Sequence, residues 1–280
     1  MTWSFTKMQG LGNDFVVVSR SALPEDAPER ARALCDRHFG VGADGLVFVL
    51  PSEKADVAMR IFNPDGTEAE QCGNAVRCVA RYFFERISGE KRELTVETRA
   101  GLQRVGLEVS KGRVVAVCVD MGRPILKGRE IPTAIDRERV VEEPLEVDGA
   151  RFRFTAVSMG NPHAVVRVED APSFPVEKWG PRLETHPLFP RKTNVEFITV
   201  RSPREIDMRV WERGVGQTLA CGSGACAAVV AAALAGKAER EATVHLLGGD
   251  LHIRWDEKSD HVFMTGPAEF VFEGKWPGPE

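Results

Sequence analysis

The chain has 280 residues, 28% of them charged and 43% hydrophobic, with a formal net charge of −4 at pH 7. That length suits about two domains with cores of their own, and the interspersed acids and bases give no basic face for a phosphate backbone, which argues against nucleic acid as a partner. The N-terminus MTWSFTKMQG has no charged-then-apolar leader, and the longest apolar run, 225–235, is too short to span a bilayer, so the expectation is a cytoplasmic protein with no membrane partner.

In chain order, TWSFTKMQGLGNDFVVVSR predicts two short strands around a Gly-Leu-Gly-Asn turn. Residues 28–39 follow as a short helix, with Ala31, Leu34, Cys35 and His38 at helical spacing and Gly40-Val41-Gly42 to stop it. Strands are expected at 46–50 and 56–62, then a turn at Asn63-Pro64-Asp65-Gly66, then Cys72 and a helix over 74–86. Further strands fall at 93–99, 102–109 and 113–119. The segment 121–144 has Gly, Pro and charge without periodicity and reads as a linker, after which a second set of strands and helices begins.

That second set repeats the first. Residues 56–63 (DVAMRIFN) align with 205–212 (EIDMRVWE) at an offset of 149, which also matches Asn63 to Glu212 and Cys72 to Cys221. Gly45-Leu46-Val47-Phe48 meets Asn194-Val195-Glu196-Phe197 at the same offset, and Gly12-Asn13 meets Gly160-Asn161 at 148. The expected architecture is α+β: two similar domains from an internal duplication, 1–121 and 122–266. The helix after Cys221 is apolar on nearly every side, as a helix wrapped by a sheet must be. The helix after Cys72 carries Arg77, Arg81 and Arg86, so one of its faces is expected to reach solvent or a partner.

Sites in duplicated α/β units favour the cleft between them, which would bring Cys72 and Cys221 face to face. A cysteine just before a helix feels the positive end of the dipole and nearby N–H donors, which lowers its pKa. Two such thiols suit proton removal from one face of a carbon and delivery to the other, the chemistry of stereoinversion. Backbone N–H groups of Gly73, Asn74, Gly222 and Ser223 are placed to hold a substrate carboxylate as charge spreads into it. Cys35, Cys78, Cys118 and Cys226 read as small buried hydrophobes, and with no C-x-x-C pair the six cysteines form neither a disulfide framework nor a zinc site. Asn13, Asn161 and Asn194 taken singly are turn residues, but they sit in matched loops. His163, two residues after Asn161, is in reach of a thiol or substrate, and Glu212-Arg213 offers an ammonium site and a carboxylate site.

With these residues assembled, the sequence resembles the diaminopimelate epimerase family from its first strand to its C-terminus. The resemblance rests on GLGNDFVVV, RHFGVGADGL, FNPDGTEAEQCGNAVRC, SMGNPHAVV, TNVEF, WERGVGQTLACGSGACA, LLGGDLHIRW and MTGPAEF, in that order. It implies a cofactor-independent, metal-free epimerase interconverting LL- and meso-2,6-diaminopimelate in lysine biosynthesis, with Cys72 and Cys221 as the acid/base pair. It further implies that Gly73-Asn74 and Gly222-Ser223 bind the reacting carboxylate and that Asn63 and Glu212 bind its ammonium. Asn13, Asn161, Asn194 and Arg213 would hold the distal end, with His163 and Glu212 supporting the thiols. Each domain would be a β-barrel-like sheet around a central helix, with 267–280 returning to the N-terminal domain, in a homodimer.

The chain departs from the family pattern at Gln9, Gly45 and Ala75. Gly45, where some members place a substrate-reaching glutamine, has no side chain. The alternatives are another two-cysteine racemase of proline or hydroxyproline type, which has no distal end to hold, and a non-catalytic thiol redox protein, which needs only the cysteines.

Overall fold

β1 (Trp3–Gly10) and β2 (Asn13–Ser19) pair through Leu11 and Gly12, both at positive φ (57° and 83°). Two-residue turns of that hand match the twist of the strands they join. β3 (Gly45–Leu50) runs parallel to β2, so the chain must cross over between them, and α1 (Ala27–Cys35) makes the crossing. α1 ends earlier than its apolar spacing predicts. Asp36 Oδ1 accepts the backbone N–H groups of His38 and Phe39, at 2.7 and 2.8 Å, so a side-chain-capped turn takes over and leaves His38 outside the helix.

β4 (Val57–Phe62) lies antiparallel to β3, and the two-residue β5 (Glu68–Ala69) folds back on it, leading to Cys72 and α2 (Gly73–Phe83). One π-helical turn, Phe84–Ser88, continues α2 to a left-handed Gly89. β6 (Glu93–Thr98) pairs parallel with β4, and β7 (Gly101–Ser110) and β8 (Arg113–Asp120) follow as an antiparallel meander. The C-terminal strand, Glu269–Trp276, returns to pair with β1. Phe15–Val18 of β2 and the whole of β3 are free of polar side chains because they are covered on both faces. Val16, Val18, Leu46 and Phe48 share a core with Ala27, Ala31 and Leu34 of α1, while the alternate face carries α2, packed on β1–β4, β6 and β7.

The arginines of α2 do not all turn outward. Arg77 is fully buried, its Nε donating to the Pro267 carbonyl at 3.0 Å, and Arg81 bonds the Ala268 carbonyl and the Glu269 carboxylate, the latter at 2.7 Å. The chain's own C-terminal segment takes the place of solvent. Only Arg86 reaches the surface, where it meets Glu273.

The second unit repeats this order. β9 (Glu143–Val147), β10 (Ala150–Ser158) and β11 (Pro162–Arg167) are antiparallel neighbours; α3 (Val176–Glu184) crosses to β12 (Asn194–Ser202), parallel to β11, and β13 (Glu205–Glu212) pairs with β12. β14 (Gly216–Gln217) leads to Cys221 and α4 (Gly222–Leu234), then to β15 (Glu241–Leu246), β16 (Gly249–Trp255) and β17 (Val262–Gly266). α4 is buried without a break from Gly224 to Ala232 and touches β10–β13, β15 and β16.

Residues 121–144 are not a free linker: Ile131 and Val140 lie in the same core as Phe154 and Phe197. The helix α3 carries no sequence expectation because Gly180 and Pro181 lie inside it. Gly180 is required there, since a Cβ would collide with the Trp211 ring.

The computed structural model describes residues 2–278; Met1, Pro279 and Glu280, which the expected domain limits include, lie outside the described residues. By contacts the chain divides after Val119 and after Met264, with the residues from Thr265 on belonging to the first unit. Among the described residues no helix is long and apolar enough to cross a membrane.

Candidate active site: two cysteine-capped helix starts

In the first unit, Cys72 occupies the N-cap of α2 with extended backbone (φ −149°, ψ 112°), so the helix begins at Gly73 directly after the thiol. The first N–H groups of a helix have no intrahelical acceptor, and here they belong to Gly73 and Asn74. Asn13, at the start of β2, reaches this point. Its Oδ1 lies 3.8 Å from Cys72 Sγ and 3.1 Å from Asn74 Nδ2, and its own amide Nδ2 donates to Asp44 Oδ2 at 2.8 Å.

Behind Asn13 stands a charged cluster. Arg37 Nη2 bridges Asp14 and Asp44 at 2.7 Å each, Lys7 pairs with Asp14 at 2.5 Å, and the Asp14 backbone N–H donates to Asp44 at 3.0 Å. Burial works against the Asp14 carboxylate, but hydrogen bonds from Arg37 and Lys7 outweigh it and hold the group down at about 2.

Asn63 closes the turn before β5, its Nδ2 donating to Thr67 Oγ1 at 2.9 Å. Gly45 is buried at the start of β3, where a Cβ would approach the Phe62 carbonyl to 3.2 Å. A longer residue there has to displace backbone, which gives a packing reason for glycine.

In the second unit Cys221 holds the same position, the N-cap of α4 (φ −120°, ψ 110°), with Gly222 and Ser223 opening the helix. The site around it is more enclosed. His163 on β11 sits beside Asn194 in the parallel register with β12. Its Nδ1 faces Glu196 Oε1 at 2.7 Å and its Nε2 faces Asn161 Oδ1 at 3.0 Å, with His163 and Glu196 both wholly inaccessible to solvent. Asn161 Nδ2 donates to Ser223 Oγ at 3.3 Å, and Ser223 Oγ lies 3.6 Å from Cys221 Sγ. A continuous polar chain therefore runs from Glu196 through His163, Asn161 and Ser223 to the sulfur.

The dipole argument misjudges Cys221. Burial, followed by the carboxylates of Glu212 and Glu196, pushes its pKa well above the ordinary thiol value, against weaker help from the Ser223 hydroxyl and the Gly224 N–H. Glu212 is itself raised by burial, opposed by hydrogen bonds from Thr218 and Cys221; Thr218 Oγ1 donates to its Oε1 at 2.6 Å. Two acids and a thiol in one enclosed space favour protonated sulfur.

Asn194 spends its amide on the protein, donating to the Pro162 carbonyl at 2.9 Å and accepting the Arg213 backbone N–H at 2.9 Å. It sets the loop from which the exposed Arg213 side chain projects, with Nη1 donating to the Arg191 carbonyl at 3.3 Å.

Sequence reasoning passed over Glu196 and Asp44. Glu196 carried a signal: an acid inside the apolar run of β12, in phase with Asn194, is costly to bury and so implies a partner. Gly224 completes the fit, because a Cβ there would lie 2.6 Å from Glu196 Oε1.

The fold that carries the two helix-capping thiols is shared with solved structures of other proteins. A hydroxyproline epimerase from Agrobacterium vitis, solved with trans-4-hydroxy-L-proline bound, superposes with a TM-score of 0.72 at 15% identity, covering 98% of this chain and 92% of that one. A phenazine biosynthesis protein of the PhzF family from Bacillus anthracis gives 0.70 at 20% identity, covering 99% of each chain. At such identities the likeness defines the fold alone.

The sequence itself is more specific. The family described as Diaminopimelate epimerase matches residues 5–127 and 155–271. A diaminopimelate epimerase of Pelotomaculum thermopropionicum is 58% identical over 276 residues, 98% of each chain, and one of Methanococcus maripaludis is 51% identical over 272 residues, 97% of this chain and 98% of that one. The chain belongs to the diaminopimelate epimerase family, a family of isomerases.

Proposed function

We propose that this protein interconverts LL- and meso-2,6-diaminopimelate without a cofactor, using Cys72 and Cys221 as a two-base pair in lysine biosynthesis. The observation that carries the reading is the pair of cysteines at the N-caps of the two central helices, α2 and α4, in a chain more than half identical to diaminopimelate epimerases.

In this reading Cys221 removes the α-proton as thiolate and Cys72 supplies one as thiol for LL-to-meso turnover; the reverse direction exchanges the roles. The reacting carboxylate rests on the N–H groups of Gly73, Asn74, Gly222 and Ser223, whose fixed dipoles meet the charge that develops there. The α-ammonium sits between Asn63 and Glu212. Its positive charge offsets the field of Glu212, which is one of the forces holding the Cys221 proton in place. Substrate binding thereby favours the thiolate that burial and the carboxylates disfavour.

Asn13, Asn161, Asn194 and Arg213 take the distal amino-acid end, the feature that separates this substrate from proline. Gly45 contributes through its backbone. The Glu196–His163–Asn161–Ser223 chain supports Cys221, and a redox protein has no use for it. We further propose domains of 1–121 with 267–280 and of 122–266, a homodimer, and a cytoplasmic location.

The test is to incubate reduced protein with LL-diaminopimelate in deuterated water, without pyridoxal phosphate, and follow deuterium at the α-carbon. Exchange and inversion are expected, and both are lost in Cys72→Ala and in Cys221→Ala but kept in Cys118→Ala. No exchange by the folded, reduced protein sinks the mechanism.

A further inference from the structure

From the hydrogen-bond polarity around Asn13, we infer that Asp44 is a positioning residue that keeps Cys72 in its thiol form in the resting protein. The inference rests on the epimerase reading only for the use to which that thiol is put.

The argument is one of donor and acceptor inventory. An aspartate carboxylate accepts and never donates, so the atom of Asn13 facing Asp44 Oδ2 at 2.8 Å must be its NH2 nitrogen. The amide oxygen then points the other way, where it accepts from Asn74 Nδ2 at 3.1 Å, a contact compatible with the same orientation. The oxygen is also the atom 3.8 Å from Cys72 Sγ. An oxygen held there by the Asp44 bond welcomes S–H and repels S⁻.

Asp44 is itself fixed. Arg37 Nη2 bonds it at 2.7 Å, and the backbone N–H of Asp14 donates to the oxygen that holds Asn13. Among the described residues, the ionisable groups near the pair within this unit include Lys7, Asp14 and Arg37 on the far side of Asn13, and Arg77 and the buried Cys78 on α2.

The matched asparagine in the second unit has the opposite polarity. Asn161 turns its oxygen to His163 Nε2 and its NH2 to Ser223 Oγ, which leaves the Ser223 hydroxyl proton available to Cys221 Sγ. Duplicated loops thus present an acceptor to one cysteine and a donor chain to the other. The two thiols therefore meet hydrogen-bond partners of opposite polarity, while burial and the Glu212 and Glu196 carboxylates still hold the Cys221 proton in place.

Site-resolved alkylation by iodoacetamide between pH 6 and 10, read by mass spectrometry, tests this without reference to turnover. In the wild-type protein the Cys72 midpoint is expected above that of a free thiol, about 8.5; a midpoint below it overturns the inference. Asp44→Asn lets the Asn13 amide turn over. The expected result is a Cys72 midpoint lower by about one pH unit, hence alkylation about tenfold faster at pH 7, with Cys221 in the same sample unmoved.

Asp14→Asn removes equal charge from the cluster without touching the Asn13 amide and is expected to leave Cys72 near wild type. An unchanged midpoint in Asp44→Asn, or an equal shift in Asp14→Asn, overturns the proposal. Loss of α-deuterium exchange in the wild-type protein would instead count against the epimerase reading and leave the alkylation result standing.

Discussion

Cys221 shows how far a single residue's chemistry depends on what covers it. A helix start lowers a thiol's pKa by fractions of a charge, whereas enclosure beside Glu212 and Glu196 raises it by desolvation and by two nearby carboxylates. The sign for catalysis follows. Because the thiolate is disfavoured, kcat/KM should climb with pH through neutrality and level off on the alkaline side of a free thiol. Glu212→Gln removes one of the groups that raises the thiol, so the acid limb should move to lower pH while kcat falls by about tenfold or more through loss of the proposed ammonium contact. A pH series of kcat/KM from 6 to 10 checks this; an acid limb that stays in place in Glu212→Gln rules out Glu212 as a cause. The sequence shows the thiol and the helix but not the enclosure, since Glu196 reaches Cys221 through strand pairing that no local window contains.

Among the elements, α4 was legible and α3 was not, for opposite reasons. An unbroken alanine and valine surface can satisfy only a fully surrounded position, so composition alone places α4 at the centre of its unit. α3 contains a glycine and a proline, which local propensity reads as a break, but Gly180 answers to a long-range demand, the Trp211 ring lying against it. The arginines of α2 misled in the same way: a charge reads as exposed unless its partner is known, and the partners of Arg77 and Arg81, Pro267 to Glu269, come about 190 residues later. The small residues of α4 set the distance between helix and strands. Ala228→Leu, at a position with no solvent access, should therefore destabilise by about 1–3 kcal/mol through overpacking, seen as a lower urea midpoint with an unchanged slope. Stability equal to wild type means the strands leave slack around the helix.

At the scale of the molecule, the duplication was the most legible feature, and it extends to the strand register. Leu46 pairs with Phe62 in the first unit, and Val195 pairs with Trp211 in the second, each 149 residues further on. Topology differs in how each unit is closed. In the second unit the strand flanking β10 is its predecessor in sequence, β9. In the first, the strand flanking β1 is the C-terminal one, so a unit that starts the chain is finished only by its end. Removing the residues after Gly266 uncovers the edge of β1 and takes away the carbonyls that bond Arg77 and Arg81 and the Glu269 carboxylate, leaving buried guanidinium groups with fewer partners although Arg81 keeps Glu85 at 3.0 Å. Losses of about 3–5 kcal/mol follow from breaking a buried charged contact of this kind, against a total of about 5–15 kcal/mol for an ordinary domain. The first unit should therefore lose amide protection in β1 and α2, while β10–β13 and α4 of the second keep theirs. Hydrogen exchange read peptide by peptide separates these outcomes, and uniform loss in both units would mean that they fold as one cooperative body.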